Sequence, residues 1–421
     1  MFTARKLSEG VTFYSLPTKQ FKTITLSIKF EAPLTEEAAG RRTVLSNILQ
    51  FSNQLTPTNT AFRQALDELY GASIYLDSTK RGARHYLHLN ADFVNDSYLN
   101  GSSVTEAVCE LLQAIVRKPL FLTDAFDDSI FTREKKQVIS RLDSLYEDKA
   151  RFAQQRLLEI IRPNHPASMS ASGNKERIER MTLEDLKEAY HSMIQEDKIS
   201  IYVVGDIDEQ QWNELLPTYL GFDPRTSLVI HSDIDTIQTA EGSTTEIQEM
   251  KQGKLHMAYE TPVTGSSPLF PTMQLLNGIF GAYPHSKLFT NVREKESLAY
   301  YASSSFASSY GLLFANSGIE PAQKDKAEKL IDAQLEEIRS GHISDLEFVQ
   351  TKSMLKNQLL EIRDSARGMI EVYDSYHEID PEFTIEGWAS KWENVSKESI
   401  QQLAKDIRKV HTFFLAGKEE N

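Results

Sequence analysis

Over its first 200 residues the chain switches repeatedly between period-two and helical hydrophobic patterns. Residues 10–16 and 22–31 alternate apolar and polar positions, with Ile24, Leu26, Ile28 and Phe30 on one side, and read as antiparallel strands. Glu36–Ser52 reads as a helix whose inner face is Val44, Leu45, Ile48 and Leu49. A helix Thr60–Leu69 leads into strands Ser73–Ser78 and His85–Asp92, joined by a turn at Lys80-Arg81-Gly82. Ser103–Arg117 is amphipathic and stops at Pro119, and Thr123–Ile161 reads as one long helix bounded by Pro163. After a polar loop, His165–Asn174, comes the helix Leu183–Met193, with Thr182 as N-cap and Asp185 at the capping-box position. Ile199–Val204 is a buried strand.

The order then restarts. Residues 225–246 have no regular apolar period and read as a linker. Leu255–Glu260 is a strand, Leu269–Phe280 and Ser286–Lys295 are helices, and a hairpin follows over Leu298–Phe306 and Leu312–Ala315. Helices Lys324–Ser340, Ser344–Tyr376 and Lys397–Val410 precede a last strand, His411–Ala416. The first-half stretch LYGASIYLDSTKRGARHYLHL occupies the place of SLAYYASSSFASSYGLLFANS in the second, and ISIYVVGD and HTFFLAGK close the two halves. A period near 200 residues is a domain duplication. Strands in hairpins with long helices predict two α+β domains, 1–224 and 247–421, each an antiparallel-rich sheet with helices on one face.

Composition narrows the class. The 421 residues are 40% apolar and 25% charged, as in a globular chain, and the length exceeds one ordinary core. A net charge of −14 argues against nucleic acid or an anionic membrane as partner. The single cysteine, Cys109, excludes an intrachain disulfide framework and a cysteine zinc site; it sits in an apolar helix and reads as an inert thiol. No apolar run is long enough for a signal peptide or a membrane span, so a cytoplasmic location is expected.

Candidate chemistry centres on residues 286–318. A helix running into a hairpin puts Arg293 near the helix end and Tyr300 on the first strand. Two fixed donors of this kind hold a peptide carbonyl or its oxyanion. The same residues also fit a structural role, with Arg293 complementing the helix dipole and Tyr300 packing on a strand. Neighbouring strand residues face opposite sides, so Tyr301 is set aside. Ten histidines offer no i, i+4 pair with an acid nearby; His85 and His88 fall on opposite strand faces.

The run Leu288-Phe289…Arg293-Glu294-Lys295…Leu298-Ala299-Tyr300 resembles the C-terminal signature of the insulinase/pitrilysin/mitochondrial-processing-peptidase family. Gly173-Asn174-Lys175-Glu176…Ile178…Thr182…Asp185-Leu186…Tyr190 and Val203-Val204-Gly205-Asp206 are similar to the stretch that closes that family's first domain. The resemblance implies that Arg293 and Tyr300 are a substrate-contacting pair, and that the two domains form half of a clamshell. It also implies an inverted zinc motif, His-x-x-Glu-His, on the first long helix, with a later Glu as third ligand. Here the corresponding helix reads GRRTVLSNIL. By its register the two histidine positions hold Thr43 and Asn47, the base position holds Ser46, and the third-ligand position holds Arg141. None of these suits zinc. Relatives often carry consecutive glycines before the Arg/Tyr stretch, where this chain has NGIFGAYPHS.

The resemblance therefore implies a metal-free, non-catalytic subunit of a heterodimeric zinc peptidase. It would need no cofactor of its own, and a homologous partner chain would hold the zinc. The alternative is a proteolytically inactive binding or scaffold protein in peptide maturation or in elongation factor P modification.

Overall fold

A computed structural model describes residues 1–99, 101, 103–226 and 242–417. Eleven strands are described: β1 (Thr3–Ser8), β2 (Val11–Pro17), β3 (Thr23–Pro33), β4 (Ser73–Arg81), β5 (Arg84–Val94), β6 (Lys198–Gly205), β7 (Gly242–Gln248), β8 (Gly253–Glu260), β9 (Ala299–Ala307), β10 (Leu312–Ile319) and β11 (Arg408–Gly417). The first six form one sheet in the order β1-β2-β6-β3-β5-β4, and the rest a second in the order β7-β11-β8-β10-β9. All neighbours are antiparallel except β2 with β6 and β7 with β11. With β1 set aside, the two orders correspond strand for strand. The duplication expected from the sequence is thus present in topology, and the α+β class holds.

In the first unit β3 shows how alternation builds a layer. Ile24, Leu26, Ile28 and Phe30 are all buried in one core with α1 (Glu36–Phe51) and later helices. Helix α2 (Asn59–Glu68) follows α1, and α3 (Val104–Arg117) lays Val108, Leu112 and Ile115 on the same core. The polar alternates Thr25, Ser27 and Lys29 are buried as well. They lie on the sheet's other face, whose cover includes a segment from late in the chain. There Arg367 donates to Asn90 and, at 2.6 Å, to Asp92 on β5, and Tyr373 packs on Tyr14 of β2.

The expected long helix Thr123–Ile161 is broken into α4 (Asp128–Glu147) and α5 (Lys149–Ile161). Asp148 is the cause: its carboxylate caps the backbone N–H groups of Ala150 and Arg151 and starts a new helix. Helices α6 (Lys175–Arg180), α7 (Leu183–Gln195) and α8 (Glu209–Leu220) complete this stretch. The capping box at Thr182 and Asp185 forms as expected.

In the second unit come α9 (Phe270–Asn277), α10 (Lys324–Arg339), α11 (Asp345–Glu361), α12 (Ala366–His377), α13 (Ile385–Glu393) and α14 (Lys397–Lys405). The expected helix Ser344–Tyr376 is interrupted by a tight turn at Ile362–Asp364, and the helix expected to reach Val410 ends at Lys405, where β11 takes over. Of the expected linker 225–246, residues 227–241 lie outside the described residues, and 242–246 already belong to β7.

The divide along the sequence is not the divide in space. One compact unit comprises the described residues of Met1–Asp143, Met169–His231 and Ser365–Tyr373; the other comprises those of Ser144–Ser168, Ser232–Asp364 and Asp374–Asn421. Helix α5, from the first half of the sequence, packs Ala153, Leu157 and Ile161 against Ala258, Phe413 and Leu415 of the second sheet. Domain limits of 1–224 and 247–421 miss this exchange. No described helix is long and apolar enough to cross a membrane.

Candidate functional site

The first candidate region is the polar side of α1 that faces β4 and the Ala171 loop. Thr43 and Asn47 stand one turn apart, and Ser46 lies beside them. Thr43 is buried, and its hydroxyl donates to the Ala171 carbonyl at 3.2 Å. That uses its only proton, so the Ser78 hydroxyl of β4, 2.9 Å away, donates to Thr43. Ser46 turns back and donates to the Thr43 carbonyl at 2.9 Å. Arg141 of α4 reaches across and donates to Asn47 Oδ1 at 3.1 Å. The four residues singled out from sequence are bonded as two pairs, Ser46 with Thr43 and Arg141 with Asn47.

This set does not fit zinc. It offers two neutral hydroxyls and an amide, each engaged within the protein, and a guanidinium that repels a dication. Among the described residues no three His, Cys, Asp or Glu side chains converge as a metal-binding group.

Beneath this face lies a network that the sequence reading missed. Arg42, 3% exposed, pairs with buried Asp197 at 2.7 Å and donates to the Phe30 carbonyl at 3.0 Å. Its Nε donates to His85 Nδ1 at 3.1 Å, and His85 Nε2 donates to the Ala171 carbonyl at 2.9 Å. Burial and the adjacent Arg42 charge pull the His85 imidazole down to about 3, so it is neutral. Ala171 thus accepts from both Thr43 and His85, and Lys80 donates to the Met169 carbonyl. Gly173, at φ +82°, meets the backbone of Gly40 with no room for a Cβ. The loop expected at His165–Asn174 is fastened onto α1. The available signal was parity: His85 shares the inward side of β5 with Leu87 and Leu89.

The second candidate region carries Arg293 and Tyr300. Helix α9 runs into a π-turn at Gly278–Ala282, and a π-helical segment, Leu288–Lys295, follows. Wide turns of this type interrupt regular helix at functional positions. NGIFGAYPHS is thus helical in its first part, and Gly281 is needed because a Cβ there would strike the Ser304 backbone of β9. The remainder is fixed to α11 by Tyr283 to Gln358 (2.8 Å), His285 to Thr351 (2.8 Å) and Lys287 to Glu347 (3.1 Å).

Arg293 is exposed, with its guanidinium 4.5 Å from the centre of the Phe289 ring. Ser297 turns the chain at φ +50°, and β9 begins. In the β9/β10 ladder Ala299 faces Ile319 and Tyr301 faces Gly318, so Tyr300 is the extra residue of a β-bulge and is 63% exposed. Bulges re-aim side chains. The bulge, not simple alternation, therefore separates Tyr300 from Tyr301. No hydrogen bond joins Arg293 to Tyr300 in this structure; both present free donors to solvent.

A duplicated α+β chain with hydrogen-bonded neutral side chains on its first long helix, and an exposed Arg and Tyr seven residues apart in its second half, is peptidase-like in outline. Comparison with known proteins agrees. Residues 180–355 match the family described as "Peptidase M16 inactive domain". The chain is 35% identical over 411 residues to the "probable inactive metalloprotease YmfF" of Bacillus subtilis, covering 97% of this chain and 96% of that one. A crystal structure of a conserved protein from Enterococcus faecalis superposes over 100% of this chain and 99% of the other, with TM-score 0.93 and 33% identity. The subtilosin biosynthesis protein AlbE of Bacillus subtilis is 20% identical over 363 residues, 84% of this chain and 87% of its own. The chain belongs to the M16 peptidase family, as an inactive, peptidase-like member.

Proposed function

We propose that this protein is the non-catalytic subunit of a heterodimeric zinc peptidase. A homologous partner chain supplies the His-x-x-Glu-His motif and the zinc, and this chain needs no cofactor. Arg293 and Tyr300 hold the peptide backbone as paired donors. The observation that carries the reading is the contrast between the two regions. The polar side of α1 is filled by Arg141–Asn47 and Thr43–Ser78 bonds, whereas Tyr300 is pushed out at a bulge seven residues after an exposed Arg293. A cytoplasmic compartment accords with the one buried cysteine.

The test is reconstitution with a chain of similar length that has an intact His-x-x-Glu-His and is encoded nearby. The pair is expected to cleave peptides and this chain alone to cleave none. Arg293→Ala or Tyr300→Phe is expected to lower turnover about tenfold or more without dissociating the pair. Unchanged turnover in both variants removes the role assigned to them. A pair that binds peptides and cleaves none supports the second reading, an inactive binding protein in peptide maturation, which the likeness to a bacteriocin biosynthesis protein favours.

A further inference from the structure

The face of the second sheet that α5 covers holds polar atoms that the fold leaves without partners. His256 on β8 is 2% exposed, and its Nδ1 lies 3.1 Å from Gln154 Oε1 of α5. A carboxamide oxygen only accepts, so Nδ1 carries the proton and Nε2 is a bare lone pair. Burial keeps this ring neutral, pulling it down to about 3. Nε2 is buried and has no hydrogen-bond partner. Asn316 stands directly opposite His256 on β10, so the two side chains leave the same face, and Asn316 Oδ1 is also buried and unpartnered.

The third atom lies one row along. Tyr301 of β9 is opposite Gly318, which is opposite Lys254 of β8. A Cβ on Gly318 would overlap the Tyr301 ring, so the ring lies across β10, with the Lys254 ammonium 5.3 Å from its centre. The phenol hydroxyl is buried and unpartnered. Three unpaired polar atoms on one sheet face are an unusual concentration, because buried polar groups are nearly always satisfied.

Their chemistry selects a ligand. His256 Nε2 and Asn316 Oδ1 accept, the Tyr301 hydroxyl donates or accepts, and Lys254 donates. A cationic group is repelled by Lys254. A carboxylate has no proton for the two lone pairs, and an apolar group leaves all three atoms unpaired. A primary carboxamide brings two N–H donors and one accepting oxygen, which matches the set. Asn316 and Tyr301 are half-buried and Ser303, opposite Asn316, is exposed, so the β9 end of the row lies nearest the surface.

We propose that His256, Asn316 and Tyr301 form a subsite for the carboxamide side chain of a peptide glutamine or asparagine. The proposal rests on the reading that this chain handles peptides. Consecutive residues at the β9 bulge then divide the work, with Tyr300 directed outward to the peptide backbone and Tyr301 directed across the sheet to a side chain.

The experiment is fluorescence anisotropy with the full chain and three labelled peptides that differ only in one central residue: Gln, Glu or Met. The Gln peptide is expected to bind about tenfold tighter or more than the other two. Tyr301→Phe and Asn316→Asp, both nearly isosteric, are expected to erase most of that preference while the Met peptide's affinity stays within about twofold. Circular dichroism checks that each variant is folded. Equal affinity for the three peptides, or an unchanged Gln preference in both variants, overturns the subsite and leaves the peptide reading intact. No binding of any of the three overturns both.

Discussion

At the scale of single residues, the hydroxyls on α1 differ in what they hold, and their substitutions should differ accordingly. Thr43 joins α1 to β4 and to the Ala171 loop, whereas Ser46 bonds only within its own helix. Thr43→Val is expected to cost about 1 kcal/mol and Ser46→Ala less than about 0.5 kcal/mol, read as shifts of the urea midpoint. Equal losses would show that the loop does not depend on Thr43. His85 and His256 weaken the fold in acid, while buried Asp197, pushed up to about 6 by desolvation, opposes them below that value. Both histidines have folded values lowered to about 3 from 6.5. Below pH 6.5 the unfolded chain binds protons that the folded chain refuses, so stability is present above 6.5 and is lost as pH falls towards 3. The slope is at most about 1.4 kcal/mol per pH unit for each histidine. Urea midpoints measured from pH 7 to pH 5 should fall, and should fall less steeply in His85→Asn. Thr43, Ser46, Asn47 and Arg141 were singled out only by laying the family's zinc motif on the sequence, and the bonds they make on α1 and α4 are what the fold adds. The Arg42–His85–Asp197 network was not legible, because a charged residue on an inner helix face gives no sign of the partner that neutralises it.

At the scale of elements, the sequence shows type and period better than breaks. Residues 123–161 keep a helical period throughout, and nothing in that period marks Asp148 as a cap. Asp148→Ala should cost about 1 kcal/mol, and calorimetry of the full chain is the check. Strand β7 was missed because GSTTEIQ carries a single large apolar residue; it forms because β11 offers an edge to pair with. The helix-to-hairpin order around Arg293 was legible, but the π-turns, the left-handed Ser297 and the bulge at Tyr300 were not. These depend on contacts made elsewhere, such as Gly281 against Ser304. Gly281→Ala is therefore expected to destabilise by about 1–3 kcal/mol and to perturb β9, seen as shifted NMR signals of Tyr300 and Tyr301. A neutral substitution would show that the close approach is not required.

At the scale of the whole molecule, the duplication was written in the order of elements, and the exchange of segments was not. Amphipathicity says that α5 buries a face but not which sheet receives it. The consequence is a prediction about dissection. Separate expression of 1–224 and 247–421 should give poorly folded products, because the second sheet loses the cover of Ala153, Leu157 and Ile161, and the first loses the Arg367 contacts to β5. Dispersed NMR spectra from both pieces would contradict it. On the proposed function this chain is the metal-free half of a peptidase. Zinc content tests it most directly, by elemental analysis of the purified chain at known protein concentration. Zinc near zero for the chain alone, and one zinc per pair once the partner is bound, is the expected result. One zinc per chain in the isolated protein would contradict the account.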